Sequence, residues 1–170
     1  IASCGVIAHS QGGLAALHLY AFYWSCLDNA SNGGSRLIQS VGSPYQGSPL
    51  SGDLALMGEV YGQGCGENTS ITTLGATEWL KTIPYWARSA VHYTTSSVKS
   101  DRKWWTWDAC HRVTDFILSD PDDGATEKYR GQLPGGNNLG HKKGLCHTGS
   151  MNNSSQTKDS SLNSSMNSNA

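Results

Sequence analysis

The sequence has little of what would place a protein in a membrane or on a nucleic acid. None of its 170 residues belongs to an apolar run with the length and purity of a transmembrane helix. Its 12 Lys and Arg residues are balanced by 13 Asp and Glu residues, so no basic excess predicts a nucleic-acid partner or an anionic membrane surface. No internal repeat is visible. The remaining features favour one soluble, loop-rich domain of mixed α and β structure.

Cysteine spacing excludes the common zinc motifs and favours disulfides. The five cysteines are an odd number, so at least one is free or pairs outside this chain: Cys4, Cys26, Cys65, Cys110 and Cys146. Cys4 is predicted to be a buried strand residue. The other four lie at expected loop or helix ends, which is typical of disulfides in secreted proteins. We therefore expect an extracellular protein, although the sequence contains no signal-peptide pattern.

The most informative stretch is an apolar segment that leads into Ser10 and is followed at once by a helical pattern. Ile1 to Ala8 predicts a buried strand, and Gly13 to Trp24 predicts a helix that is apolar nearly all round. A strand, a serine between small residues and a helix together form the pattern of a nucleophile elbow. The turn brings the positions two before and two after the serine close together, and Ala8 and Gly12 occupy them.

The elbow pattern predicts chemistry for two neighbouring residues. Ser10 is expected to lie at the N-terminus of the helix, held out from the backbone as a nucleophile. The backbone N–H of Gln11 can then donate to a developing oxyanion, whose negative charge the helix dipole also favours.

The later chain predicts further strands of the same sheet. Arg36 to Val41 and Ala90 to Ser96 are strand-like, and Leu139 to His147 is expected to hold a short final strand. Thr77 to Ala90 predicts a helix that is broken at Pro84. Because the first two strands are separated by a helix, they are expected to be parallel. The fold class is therefore α/β, a mostly parallel sheet with flanking helices.

An acid and a histidine follow the serine in a meaningful order. Serine attacks an ester only when a histidine held by an acid removes its proton, and in α/β-hydrolases the chain order is serine, acid, histidine. This sequence has that order with three candidate acids and two candidate bases: Asp120, Asp122 and Asp123, then His141 and His147. The acidic turn is also compatible with an Asx-turn or a calcium loop, but the EF-hand spacing is absent.

Three short blocks resemble the bacterial true lipases of the α/β-hydrolase superfamily. They are residues 8–13 (AHSQGG), residues 41–48 (VGSPYQGS) and the Asp123-Gly124 pair, and the resemblance covers about residues 1–150. It implies an α/β-hydrolase fold. Since the elbow strand of that fold lies in the middle of its sheet, we expect this chain to be the C-terminal part of a longer one.

The resemblance assigns the site residue by residue. It implies that Ser10 is the nucleophile, Gln11 the second oxyanion-hole donor, Asp123 the acid and His147 the base. The first oxyanion donor is expected from a His-Gly loop in a preceding segment. Tyr45 departs from the family pattern, which has histidine there, and a tryptophan-rich insertion separates the third strand from the acid.

The competing residues stay open at this point. Asp120 precedes a proline, which suits a tight turn poorly, whereas Asp123 is followed by glycine. His141 lies among glycine and lysine residues that look solvated, and the spacing favours His147. His9 is next to the serine but is expected to point away from the site.

The resemblance predicts a serine carboxylic ester hydrolase, lipase-like, that acts on a lipid or small ester and has transient contact with a lipid interface. No cofactor is required, and the calcium site of some of these lipases cannot be traced. The alternatives are an acyltransferase with the same three residues and a non-catalytic, hydrolase-like binding protein. Residues 1–150 would form the catalytic part, and residues 151–170 a Ser/Asn-rich, poorly packed tail or frayed helix.

Two hypotheses concern the late cysteines. A disulfide between Cys110 and Cys146 would join the segments that carry the acid and the histidine, since each cysteine flanks one of them. The least favoured alternative is a metal-binding module made of Cys110, His111, Cys146 and His147.

Overall fold

The computed structural model describes residues 4–29, 36–51, 69–98, 118–119, 121–149 and 153–170. Within them, four strands form one parallel sheet in chain order: β1 (Val6–His9), β2 (Ile38–Val41), β3 (Val91–Ser97) and β4 (Asn137–Lys143). The predicted parallel α/β architecture is confirmed.

The inner strand β2 and its neighbour β1 differ in burial. All four residues of β2 are buried between neighbouring strands. In the described ranges β1 pairs with β2 alone, in a register that sets Val6 opposite Ile38. Ile7 is 46 % exposed, so the prediction of a wholly buried first strand is wrong for this residue.

In the part of the chain that the structure describes, four α-helices accompany the sheet: α1 (Gly12–Phe22), α2 (Thr73–Thr82), α3 (Tyr85–Arg88) and α4 (Ser160–Asn167). The predicted break at Pro84 is confirmed, because proline has extended backbone there and separates α2 from α3. Helix α1 buries Leu14 and Leu17 but exposes Leu19 and Phe22. It packs at the edge of the described sheet, so its all-round apolar character does not produce all-round burial.

The core lies where α1 crosses the sheet. One buried cluster joins the helix to the strands and to the loop after β2, and it includes Leu17, Ile38, Tyr45, Val91 and Leu133. A second, smaller cluster holds Val41, Leu145, Leu162 and Met166. Helix α1 therefore contributes to the larger cluster and α4 to the smaller one.

The C-terminal segment is part of the fold. A short β5 (Leu145–Cys146) pairs in parallel with β6 (Ser154–Ser155), and α4 follows. Leu162 and Met166 lie four residues apart on one helix face and are 4 % and 3 % exposed. The prediction of a poorly packed tail is wrong for residues 153–170. The segment has few apolar residues, but two of them, Leu162 and Met166, are buried in the second core cluster.

The cysteines differ in part from expectation. Cys4 precedes β1, is half-buried and forms a disulfide with Cys26, so it is not a buried strand residue. Cys146 is also disulfide-bonded. Cys65, Cys110 and the tryptophan-rich insertion lie outside the described residues. Among the helices that the structure describes, none is long and apolar enough to cross a membrane.

Candidate functional site

Ser10 occupies a sharp turn between β1 and α1. Its φ is 56°, and it is the one non-glycine residue with positive φ in the described part of the chain. Such a conformation is costly for a residue with a Cβ, and it persists only when the surroundings hold it. The Ser10 N–H donates to the Val41 carbonyl at 3.1 Å, while Gly13 N–H donates to the Ser10 carbonyl at 3.1 Å. The turn thus fixes Ser10 between the end of one strand and the first turn of a helix.

Ala8 and Gly12 approach each other across the turn as predicted, but Gly13 is the residue that has no room for a side chain. A Cβ added at Gly12 would lie 3.7 Å from the Ala8 Cβ, which is ordinary contact. A Cβ at Gly13 would lie 2.2 Å from Ser43 Oγ and 2.8 Å from the Tyr45 hydroxyl. The tighter approach is therefore made by Gly13, below which the loop after β2 packs.

Tyr45, which stands where the lipase pattern has histidine, has a packing role. Its side chain is fully buried, and its hydroxyl lies 2.8 Å from Ser40 Oγ. Burial raises the pKa of the phenol far above its ordinary value. The residue is thus a neutral packing group beneath the elbow and not a titrating one.

Asp123 lies in a tight loop that holds its carboxylate in place. Oδ1 accepts hydrogen bonds from the backbone N–H groups of Ala125 and Thr126 at 3.0 and 2.7 Å. Oδ2 faces His147 Nδ1 at 3.1 Å, and the carboxylate is 1 % exposed. The glycine after the acid, Gly124, has φ of 91°, which is the reason for the Asp-Gly pair.

His147 joins the acid to the serine. It follows β5, and its backbone N–H donates to the Asp123 carbonyl at 2.8 Å. Its Nε2 lies 2.8 Å from Ser10 Oγ, while Nδ1 faces the Asp123 carboxylate. The structure therefore brings the three predicted residues into one hydrogen-bonded chain from residues far apart in sequence. This arrangement can transfer a proton from the serine hydroxyl to the imidazole.

Gln11 lies directly after Ser10 and precedes the first residue of α1. Its carbonyl accepts the Ala15 N–H at 3.0 Å, so the residue is already part of the helical hydrogen-bond pattern. Gln11 also borders a cavity of about 450 Å³, whose other walls are Gly12, Leu14, Ala15, His18, Ser70, Ile71 and Trp79. A mostly apolar cavity thus opens beside the N-terminus of α1.

The competing residues are placed elsewhere or bound otherwise. Both ring nitrogens of His141 lie 3.0 Å from hydroxyls of β3, those of Thr95 and Ser97. The Asp122 Oδ1 accepts the Gly124 N–H at 2.7 Å. Asp120 lies outside the described residues.

Two of the four residues in the predicted metal-binding module have other partners. Cys146 is disulfide-bonded, and His147 is hydrogen-bonded on both ring nitrogens. Cys110 and His111 lie outside the described residues, as does one end of the predicted Cys110–Cys146 bridge. Within the part that the structure describes, no three His, Cys, Asp or Glu side chains are grouped to hold a metal ion.

Two residues at the site were missed or misjudged from the sequence. The His9 ring lies against the His147 ring with 4.5 Å between centroids, so the prediction that it points away from the site is wrong. Burial, followed by repulsion from His147, lowers the pKa of His9 and favours its neutral form. The second residue is Gln156, which is fully buried and contacts both His9 and Asp123. A polar Ser/Asn-rich stretch gave no signal for it.

Sequence comparison assigns the chain to a family. The model of the "Conditioned medium factor C-terminal domain" family matches residues 1–170. The chain is 39 % identical over 165 residues to "Conditioned medium factor" of Dictyostelium discoideum, covering 97 % of this chain and 23 % of that relative. The chain therefore spans less than a quarter of the length of this relative.

Comparison of structures identifies the fold. A mature-form crystal structure of Bacillus licheniformis lipase BlEst2 matches with a TM-score of 0.56 and 22 % identity, covering 82 % of this chain and 57 % of the lipase. The metagenomic carboxyl esterase MGS0156 matches with a TM-score of 0.56 and 20 % identity, covering 96 % and 50 %. The resemblance to bacterial lipases thus holds for the α/β-hydrolase fold, whereas the predicted lipase family is corrected. The chain belongs to the conditioned medium factor C-terminal domain family, built on part of an α/β-hydrolase fold.

Proposed function

We propose that this chain carries the nucleophile, base and acid of a serine carboxylic ester hydrolase. The observation that carries the proposal is the continuous chain from Ser10 Oγ through His147 to Asp123, with distances of 2.8 and 3.1 Å. The positive φ of Ser10 supports it further, since strain of this kind clusters at reacting residues.

The reaction that fits these residues has two halves. Ser10 Oγ attacks the ester carbonyl carbon while His147 Nε2 takes the hydroxyl proton. The tetrahedral intermediate then expels the alcohol, which receives that proton, and an acyl-serine remains. Water, deprotonated by the same imidazole, releases the acid and restores Ser10.

The remaining groups hold the reaction together. Asp123 keeps the proton of His147 on Nδ1 and stabilises the imidazolium that forms, because its buried carboxylate accepts from that nitrogen. The Gln11 N–H at the start of α1 is the proposed oxyanion donor, a contribution of about 3 kcal/mol to transition-state stability. Neither step needs a cofactor.

The substrate class follows from the surface around the site. The mostly apolar cavity beside Gln11 suits an acyl or alkyl group of a lipid or small ester. Phe22, Tyr23 and Trp24 at the end of α1 are 48, 59 and 82 % exposed, and side chains of this type contact lipid interfaces. An extracellular location is supported by the Cys4–Cys26 disulfide and by a relative whose name refers to conditioned medium.

Turnover of p-nitrophenyl esters by the full-length protein tests the proposal. Wild type should hydrolyse them, and Ser10→Ala should lose at least about 10³-fold in kcat with an unchanged circular dichroism spectrum. Ser89→Ala is the matched control, since Ser89 is exposed and its hydroxyl donates to the Trp86 carbonyl. Turnover that survives Ser10→Ala would contradict the proposal.

Two other functions use the same fold. A non-catalytic binding protein is favoured by the name of the curated relative, which is called a factor and not an enzyme. It predicts ester binding without turnover by the wild-type protein. An acyltransferase would instead form a new ester when an alcohol is added, so product analysis with and without alcohol separates it from a hydrolase.

A further inference from the structure

The buried side chain of Gln156 connects His9 to Asp123. Its amide is fully buried although it begins a polar turn at the surface end of β6. Nε2 donates to Ser96 Oγ at 2.6 Å and to Asp123 Oδ2, while Oε1 lies 2.8 Å from His9 Nε2. Every polar atom of this side chain therefore has a partner, and two of the partners touch His147.

Chemistry fixes which way the amide faces. An ionised carboxylate can only accept hydrogen bonds, so the NH₂ group must face Asp123. The carbonyl then faces His9 and can only accept, so the proton of neutral His9 is on Nε2. The amide thus selects one tautomer of His9 at the same time as it holds the acid.

The surrounding backbone is shaped for this side chain. Gly42 has φ of 61°, and a Cβ there would lie 2.2 Å from Gln156 Oε1. Ser155 caps the turn by accepting the Thr157 N–H at 3.3 Å, which fixes the backbone at the base of the glutamine. A bulkier residue at position 42 and a buried amide at position 156 exclude each other.

We propose that Gln156 is a positioning residue that holds Asp123 and keeps His9 in its Nε2–H tautomer against His147. The inference rests on the proposed ester hydrolysis for its catalytic consequence, but its structural content does not. Through Asp123, the amide sets the direction in which His147 presents Nε2 to Ser10. A misplaced base costs about 10- to 100-fold in rate.

Two variants of Gln156 separate positioning from simple packing. Gln156→Leu keeps the volume and removes every hydrogen bond, so it should lower kcat/KM by about 10- to 100-fold at all pH values. Gln156→Glu keeps the shape. While its carboxyl is protonated it can still donate to Asp123 and accept from His9, and this ability is lost when it ionises.

The expected result is a rescue that depends on pH. The ratio of Gln156→Glu to wild-type kcat/KM should be largest at the acidic end and fall as pH rises, because two adjacent carboxylates repel each other. The titratable groups around the amide are Asp123, His147 and His9. Of the other carboxylates in the acid loop, Asp122 accepts from Gly124, and Glu127 is paired with Arg130 at 2.5 Å.

Gln39→Leu is the matched control. Gln39 is equally buried and bridges β2 to the C-terminal segment, with Nε2 donating to the Met166 carbonyl at 2.8 Å. Its loss should leave the pH dependence of kcat/KM unchanged. A Gln156→Leu enzyme with wild-type kcat/KM, or a Gln156→Glu ratio that is flat with pH, would overturn the inference.

Nuclear magnetic resonance supplies a readout that needs no turnover. The ¹⁵N shifts of His9 should report the Nε2–H tautomer in wild type and a mixture of tautomers in Gln156→Leu. An inactive wild type with this tautomer change would refute the proposed function and keep the inference. An active wild type in which the His9 tautomer is the same with and without Gln156 would refute the inference and keep the proposed function.

Discussion

The elbow at residues 6–13 and the C-terminal segment at residues 153–170 both deliver a side chain to one site, by different means. The elbow positions Ser10 through local geometry, a short strand, a turn with positive φ and a helix. The C-terminal segment positions Gln156 through distant contacts, to residues 33, 60 and 147 positions away in sequence. Local geometry leaves a motif in the sequence, whereas a long-range contact leaves none.

The largest expected effect tests whether the C-terminal segment is packed as firmly as the elbow. Leu162→Ala removes a side chain that is 4 % exposed within the second core cluster, so it should lower the free energy of unfolding by about 2–5 kcal/mol. Urea denaturation measures it. Ser164→Ala, at an exposed position of the same helix, should stay within about 0.5 kcal/mol of wild type. Equal stabilities for the two variants would show that the segment contributes little to the fold.

The same comparison explains what sequence reasoning could reach. The strands of the parallel sheet and the break at Pro84 were predictable from local patterns of apolar residues and proline. Ser10 was predictable from its elbow motif, whereas Asp123 and His147 were selected by chain order, the Asp-Gly pair and the resemblance to bacterial lipases. The packing of residues 153–170 was not, since it depends on Leu162 and Met166 meeting Val41 across the fold.

The elbow should tolerate a side chain at one of its two glycines and not at the other. Gly13→Ala places a Cβ 2.2 Å from Ser43 Oγ, so it should cost about 1–3 kcal/mol in the free energy of unfolding and displace the turn. Gly12→Ala is the matched control, because its Cβ would meet the Ala8 Cβ at 3.7 Å. We expect ester turnover to fall much more in the first variant. If both glycines tolerate alanine equally, the elbow is looser than its geometry implies.

The site residues that sequence reasoning misjudged share one physical cause. His9 ends β1 and was expected to point away from the site, yet its ring lies against the ring of His147. Gln156 lies in a segment whose composition suggests disorder. In both cases the deciding contact is made by a residue more than 130 positions distant.

The smallest expected effect concerns the start of α4. Asp159 accepts the Leu162 N–H at 2.7 Å and lies 3.1 Å from Lys142 Nζ. The helix N–H, and secondarily the lysine, lower the pKa of this carboxyl against the opposing effect of burial. Asp159→Ala should cost about 1 kcal/mol near neutral pH.

The sign of the pH dependence follows from the lowered pKa. Asp159 stabilises the fold fully above the carboxyl's unfolded pKa of about 3.9, and this stabilisation is lost as pH falls through the lower folded value. Denaturation of wild type and Asp159→Ala between neutral and acidic pH should therefore show converging stabilities. Glu78→Ala, which removes an exposed ion pair with Lys81, should change little at any pH. A difference that grows on acidification would contradict this assignment.

The most direct test of the central claim is fluorophosphonate labelling of the full-length protein, with the modified residue mapped by mass spectrometry. We expect covalent modification of Ser10, and its loss in His147→Ala, because the serine is activated through the imidazole. A folded wild-type protein that takes up no label, or takes it up at another residue, would contradict the claim that Ser10, His147 and Asp123 form a working nucleophilic centre.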